Sequence, residues 1–413
     1  MFRTIHLIGS ALLLCGMSVS SQAVEPTSYW SRFRGPTGTG VSDVAGVPSQ
    51  FSNSSLVWQC ALPVRGHSSP IVWGDRVFLT GATTEGDSVR RHVVCVDAKT
   101  GDLLWNKVAA TGSGESLHKM NSWATPSCAT DGESVVAFFG AGGLHCFDLQ
   151  GNPKWSRDLG TFPGGWGVGA SPVFWGDLVI QNCDAEGESS LVAVNKNSGE
   201  TVWKTPREDK PRGGWSTPVM IDVDGHTELI LNGEFGVNAY DPETGKPLWF
   251  CQGFNGRGTP APAWGHGLLY VVNGKSGDVY AVKPGGKGDV TKTHMAWHTE
   301  RRGGRDLPSP ILSGDTLVVI SMAGIATGYD AQTGKELWKQ RLGGNFSGSP
   351  IAVEGRVFAL SESGEVVVLQ PGKDLEVIAR NSMGAGDEVF RSSLGLIGND
   401  LLIRSDQRLV RVR

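Results

Sequence analysis

Short apolar runs separated by two-residue polar turns set the pattern of this chain. Ile71-Val72-Trp73 leads through Gly74-Asp75 into Val77-Phe78-Leu79, and Val173-Phe174-Trp175 leads through Gly176-Asp177 into Leu178-Val179-Ile180. Ile311-Leu312-Ser313 and Ile351-Ala352-Val353 do the same through Gly314-Asp315 and Glu354-Gly355. Two apolar strands flanking a tight polar pair predict a β-hairpin. Most hairpins open on a Ser-Pro pair: Ser69-Pro70, Ser171-Pro172, Ser309-Pro310 and Ser349-Pro350. Proline suits the first residue of an inner strand, where its predecessor is held extended.

A second phrase follows each hairpin. It runs Asp97 to Trp105, Asp241 to Trp249 and Asp330 to Trp338, each with Thr-Gly at its centre, and looser copies end at Trp155 and Trp203. Trp297 closes a unit whose turn has been rewritten. With Pro126, Pro218 and Pro262 added, the anchors recur every 40 to 56 residues, and an eighth copy from Ser392 to Asp400 lacks the proline. Each unit reads as four strands, which is one blade of a propeller. The eighth unit reaches Arg413 after its third strand, whereas an orphan strand, Leu56-Val57-Trp58-Gln59, precedes the first unit. The prediction is an all-β, eight-bladed β-propeller of four-stranded antiparallel blades over 56–413, its last blade closed by strand 56–62. Closure removes the edges that an open array would expose. Trp58, Trp105, Trp155, Trp203, Trp249, Trp297 and Trp338 are expected to pack between blades as scaffold.

The N-terminus changes the setting. Arg3, an apolar run from Leu7 to Val19 and Ser21-Gln22-Ala23 read as a secretory signal peptide over 1–23, cleaved after Ala23, with 24–55 leading to the ring. The run falls short of the roughly 20 residues a spanning helix needs. Bulky Leu14 before Cys15 departs from a lipid-attachment signal. The expected location is the periplasm or cell envelope, with no transmembrane segment in the mature chain. The formal charge of −4 points to neither nucleic acid nor anionic lipid. Cys60, Cys95, Cys128, Cys146, Cys183 and Cys251 remain after cleavage; their scatter through the repeat favours buried thiols used as small apolar fillers. No Cys-x-x-Cys or His-rich spacing suggests a metal site.

The Thr-Gly-x-x-x-Trp turn and Ser-Pro anchors resemble the pyrroloquinoline-quinone (PQQ) repeat across the mature chain. Two further stretches, Trp30 to Gly40 and His118 to Pro126, resemble a bacterial exported PQQ-like, BamB-like subfamily. The resemblance implies one of two functions: a non-catalytic scaffold of outer-membrane assembly, or a quinoprotein alcohol dehydrogenase using PQQ with calcium. The dehydrogenase pattern includes two adjacent cysteines, which this chain lacks, so the scaffold is the expected branch, with no cofactor and no catalytic residue assigned. The fold alone does not choose between them.

Residues leading into the anchors are expected to converge on the channel mouth: His67, Trp123, Trp166, Trp215, Arg257, Arg305, Phe346, Phe390 and Arg391. Asn182, Asp184, Glu234, Asn273 and Lys275 are candidates to join that rim. Aromatics and arginines around one opening suit an envelope or outer-membrane protein, or a small planar ligand; the alternative is that they plug the channel. A monomer is expected. The insertion 109–121 is a candidate lid, and its His118 reads as a surface histidine without a catalytic partner.

Overall fold

The computed structural model describes residues 29–413 except 208–212, 254–256, 273–276 and 302–306. The signal-peptide reading, Asn273, Lys275 and Arg305 therefore lie outside the described residues.

Eight antiparallel sheets follow one another around a ring. Blade one comprises Ile71–Trp73, Arg76–Glu85, Ser88–Asp97 and Leu103–Ser113 from inner to outer strand. The inner strands of blades two to seven are Ala129–Thr130, Val173–Trp175, Val219–Val223, Ala263–Gly265, Ile311–Ser313 and Ile351–Val353. Blade eight takes Gly395–Ile397, Asp400–Arg404 and Arg408–Val412 from the C-terminal end, and its outer strand is Leu56–Ala61. Trp58 pairs with Arg411 and Cys60 with Leu409, so the ring is closed by the N-terminal strand.

The apolar core lies between blades. Among the described residues, seven buried clusters each bridge neighbouring blades, and the largest joins blades seven, eight and one. All six described cysteines are buried free thiols. Cys95 and Cys128 share the cluster between blades one and two, and Cys146 and Cys183 the next.

The Asp-x-x-Thr-Gly-x-x-x-Trp phrase has a local and a long-range cause. Asp97 Oδ1 accepts the main-chain N–H groups of Lys99 and Thr100, at 2.8 and 2.9 Å, and Gly101 takes a φ of +80°. Those bonds to the charged form hold the Asp97 carboxyl below its ordinary range. In this phrase the outer strand carries a β-bulge just before the tryptophan: Cys95 faces Trp105 while Val96 faces Leu103. The indole then reaches the turn of the next blade. Trp58 Nε1 donates to Ala98 O at 2.9 Å, Trp105 to Leu149 O at 3.1 Å, Trp155 to Lys196 O at 2.8 Å and Trp297 to Ala331 O at 3.0 Å. The turn glycine lies beneath the ring, and a Cβ on Gly199 would be 2.6 Å from the Trp155 indole. Trp249 departs from this pattern. It donates instead to Glu228 Oε2 of its own blade, at 2.8 Å.

Candidate functional site

The serine of each Ser-Pro anchor builds the wall of the central channel. Ser69 N–H donates to Ser127 Oγ at 2.8 Å, Ser127 to Ser171 Oγ at 3.0 Å, and Ser171 to Thr217 Oγ1 at 3.0 Å. On the far side Ala261 N–H donates to Ser309 Oγ, Ser309 to Ser349 Oγ, Ser349 to Ser393 Oγ, and Ser393 back to Ser69 Oγ, at 2.8 to 3.0 Å. One hydroxyl per blade accepts an N–H from its neighbour, and only blade five, with Ala261, lacks it. This belt corrects the sequence register in blade two. The aligned residue there is Ser127, so Pro126 falls one residue early and Cys128 stands where every other blade but the eighth has proline.

A segment before the closing strand crosses the ring below this belt. Trp30 O accepts from Val72 N of blade one at 2.8 Å, Ser31 O from Thr130 N of blade two at 2.9 Å, and Gly40 O from Ala352 N of blade seven at 2.9 Å. Val41–Ser42 then pairs in parallel with the inner strand of blade seven. Arg34 pins the middle of the segment. Its fully buried guanidinium donates from Nη2 to Thr39 O and Pro310 O, both at 2.6 Å, and from Nη1 to Ala261 O at 3.4 Å. Burial lowers the Arg34 pKa to about 9. The stretch Trp30 to Gly40 is thus a plug.

Above the plug lies a cavity of about 290 Å³, walled by the belt hydroxyls and floored by Phe33. His67, Trp166, Trp215, Arg257 and Arg391 are among the residues that line it. Arg257 is held between two indoles, its guanidinium carbon 4.5 Å from the Trp166 ring centre and 5.5 Å from that of Trp215. His118 stacks on Trp166 at 4.6 Å, and Trp215 Nε1 donates to Gly167 O at 2.8 Å. The insertion reaches across the rim: Asn121 Nδ2 donates to Trp166 O at 2.7 Å, and Lys119 O accepts from Arg391 Nη1 at 3.1 Å. His67 Nδ1 is enclosed with no protein hydrogen-bond partner among the described residues. Burial, then the charges of Arg391 and Arg404, lower the His67 pKa to about 3, so its imidazole is neutral.

Other candidates sit elsewhere. Phe346 and Phe390 are 1% exposed and belong to the inter-blade core, because their rings turn inward between sheets. Trp123 packs against the cluster between blades one and two and donates to Glu115 O at 3.1 Å, bracing its own loop. Asp184 forms a buried ion pair with Arg207 at 3.2 Å, Asn182 Nδ2 donates to Ser216 O at 3.1 Å, and Glu234 is buried. None of the three lines the cup, although Asp184 borders a smaller crevice together with Trp166 and Trp215. Phe33, Met120, Leu307 and Met322 join the lining without having been singled out in the sequence, since their role depends on which loops meet.

A family model described as "Outer membrane protein assembly factor BamB" matches residues 49–182 and 187–370, most of the chain. The chain belongs to that family. It is 24% identical over 356 residues to the BamB of Burkholderia pseudomallei, covering 76% of this chain and 87% of the relative. The crystal structure of BamB from Moraxella catarrhalis superposes with a TM-score of 0.62 at 19% identity, covering 86% of this chain and 96% of that one. A europium-containing methanol dehydrogenase superposes with a TM-score of 0.68 at 13% identity, covering 92% and 90%. At those identities the two structures share the fold.

The quinoprotein branch of this fold implies PQQ with a metal ion. Calcium takes six to eight oxygen ligands, carboxylates prominent among them. No carboxylate is among the described residues lining the cup, and Asp184 is paired with Arg207. The described residues do not fit that donor set.

Proposed function

We propose that this protein is an exported, non-catalytic scaffold of outer-membrane protein assembly, its BamB relatives being outer membrane protein assembly factors by name, and that it engages an envelope protein through the rim of the cup. The observation that carries the reading is the Trp166–Arg257–Trp215 sandwich at the mouth, beside His118. Tryptophan and arginine are the residue types that most often dominate protein interfaces, especially when packed and partly desolvated. Here they are half-buried, prearranged by the Trp215–Gly167 bond, and held by loops rather than by the blade core. The charge on Arg257 is only loosely compensated, with Glu186 at 4.0 Å, so it remains available to a partner carboxylate or aromatic ring.

Deletion of the gene in its native host should lower the amount of assembled outer-membrane β-barrel protein. Plasmid-borne wild type should restore it, whereas a Trp215→Ala, Arg257→Ala double variant that retains the wild-type circular dichroism spectrum should not. Unchanged barrel levels on deletion would reject the scaffold role; full rescue by the double variant would reject the rim.

A further inference from the structure

The belt hydroxyls have a chemical polarity that the scaffold role does not use. Each of the seven oxygens, from Ser69 round to Ser393, accepts a main-chain N–H from the adjacent blade. None of the seven O–H groups donates to a protein acceptor among the described residues, and all seven side chains line the cup. A hydroxyl is one donor and two acceptor sites. With one acceptor site occupied by the main chain, each hydroxyl still has its O–H to give, so the belt presents seven donors to the cavity beside the one acceptor site each oxygen retains.

The surrounding charge has the same sense. Arg257 and Arg391 line the cup, Arg34 lies beneath it bonded to main-chain carbonyls, and the described residues that line the cup include no acid. Glu186 and Glu362 approach Arg257 and Arg391 at 4.0 and 3.4 Å, but neither lines the cup. The enclosed His67 Nδ1 adds an unused polar atom. Phe33, Met120, Leu307 and Met322 supply apolar wall. Small-molecule sites are mostly apolar with a few convergent polar groups, and about 290 Å³ is at the small end of their range.

We propose that the cup is a binding site for a small carboxylate-bearing ligand, its carboxylate on the hydroxyl belt and its apolar body against Phe33 and the rim. A carboxylate is acceptor-only, which matches a wall of donors, and charge-assisted bonds of this kind are the strong ones. The proposal goes beyond the scaffold role and does not rest on it, because it concerns the cavity wall and needs no protein partner.

The test is calorimetric titration of the purified mature protein with 2-naphthoate and with 2-naphthamide, its neutral analogue. A parallel pair uses a tripeptide ending in Phe and the same peptide amidated at its C-terminus. At least one carboxylate should bind about 10- to 100-fold more tightly than its amide. Preference within the naphthyl pair alone assigns a free acid, and within the peptide pair alone a chain terminus. Phe33→Trp, which fills the cup without removing a donor, and Arg391→Gln should each weaken binding at least tenfold. Equal affinity for acid and amide in both pairs overturns the proposal. So does carboxylate binding that neither variant weakens.

Discussion

Arg34 gives the sharpest test of how the ring is plugged. Arg34→Ala removes a guanidinium with no exposed surface and three bonds to carbonyls of the plug itself, blade five and blade six. A hydrogen bond involving a charged group contributes roughly 1.5–3 kcal/mol. The two contacts at 2.6 Å are strong by length, and the one at 3.4 Å adds little. Relief of the buried charge offsets part of the loss. The net destabilisation is therefore expected at about 2–4 kcal/mol, read as a fall in the urea midpoint at unchanged slope. Arg32→Ala is the matched control. Among the described residues the Arg32 side chain makes one hydrogen bond, to Pro36 O at 2.9 Å, four residues away, so it ties the plug to itself. Its loss should cost about 1 kcal/mol. Limited proteolysis adds a second readout, since Arg34→Ala should expose the segment before Val41 to cleavage while the blades resist. If the two variants melt alike and the plug stays protected, Arg34 does not anchor the plug, and the floor of the cup is held by something else.

Two further outcomes follow from the seams and the cup. Gly199→Ala combines a φ of +71° with a Cβ 2.6 Å from Trp155, so it should cost roughly 2–4 kcal/mol, against about 1 kcal/mol for Gly176→Ala, whose φ is +53° and whose Cβ would meet nothing within 4 Å; equal urea midpoints would sink the inter-blade role of the indole. For His67, the folded value of about 3 lies below the ordinary 6.5, so between those limits the unfolded chain binds more protons and stability falls as pH drops from 6.5 toward 3. His67→Gln should flatten that part of the urea-midpoint profile, and an unaltered profile would mean that the imidazole is not held neutral by burial.

Particular residues show what a sequence can carry. The Thr-Gly-x-x-x-Trp phrase is legible because its causes are mostly local: an Asp that caps its own turn, a glycine at positive φ, and a bulge before the Trp. Counting copies gives the blade number, and the split unit gives the closing strand, since Leu56–Ala61 has nowhere else to pair. The rim was legible in part. His67, Trp166, Trp215, Arg257 and Arg391 precede the inner strands and line the cup. Phe346, Phe390 and Trp123 occupy like positions, yet their rings turn into the seams or brace a loop, a choice made by packing space that spacing cannot express. Pro126 misled the register because proline is easier to see than the serine hydroxyl that aligns the inner strands.

What the sequence alone determined was therefore the repeated unit, its number and the closure, all of which follow from periodicity and turn chemistry. What only tertiary structure decided is that the channel is a cup. The plug, the hydroxyl belt and the Arg257 sandwich join residues far apart in the chain, such as Arg34 with Pro310 and Ser69 with Ser393. The plug and the sandwich leave no periodic trace, because each is made once; the belt serines do recur along the chain, but only the closed ring makes each of them accept from the next blade.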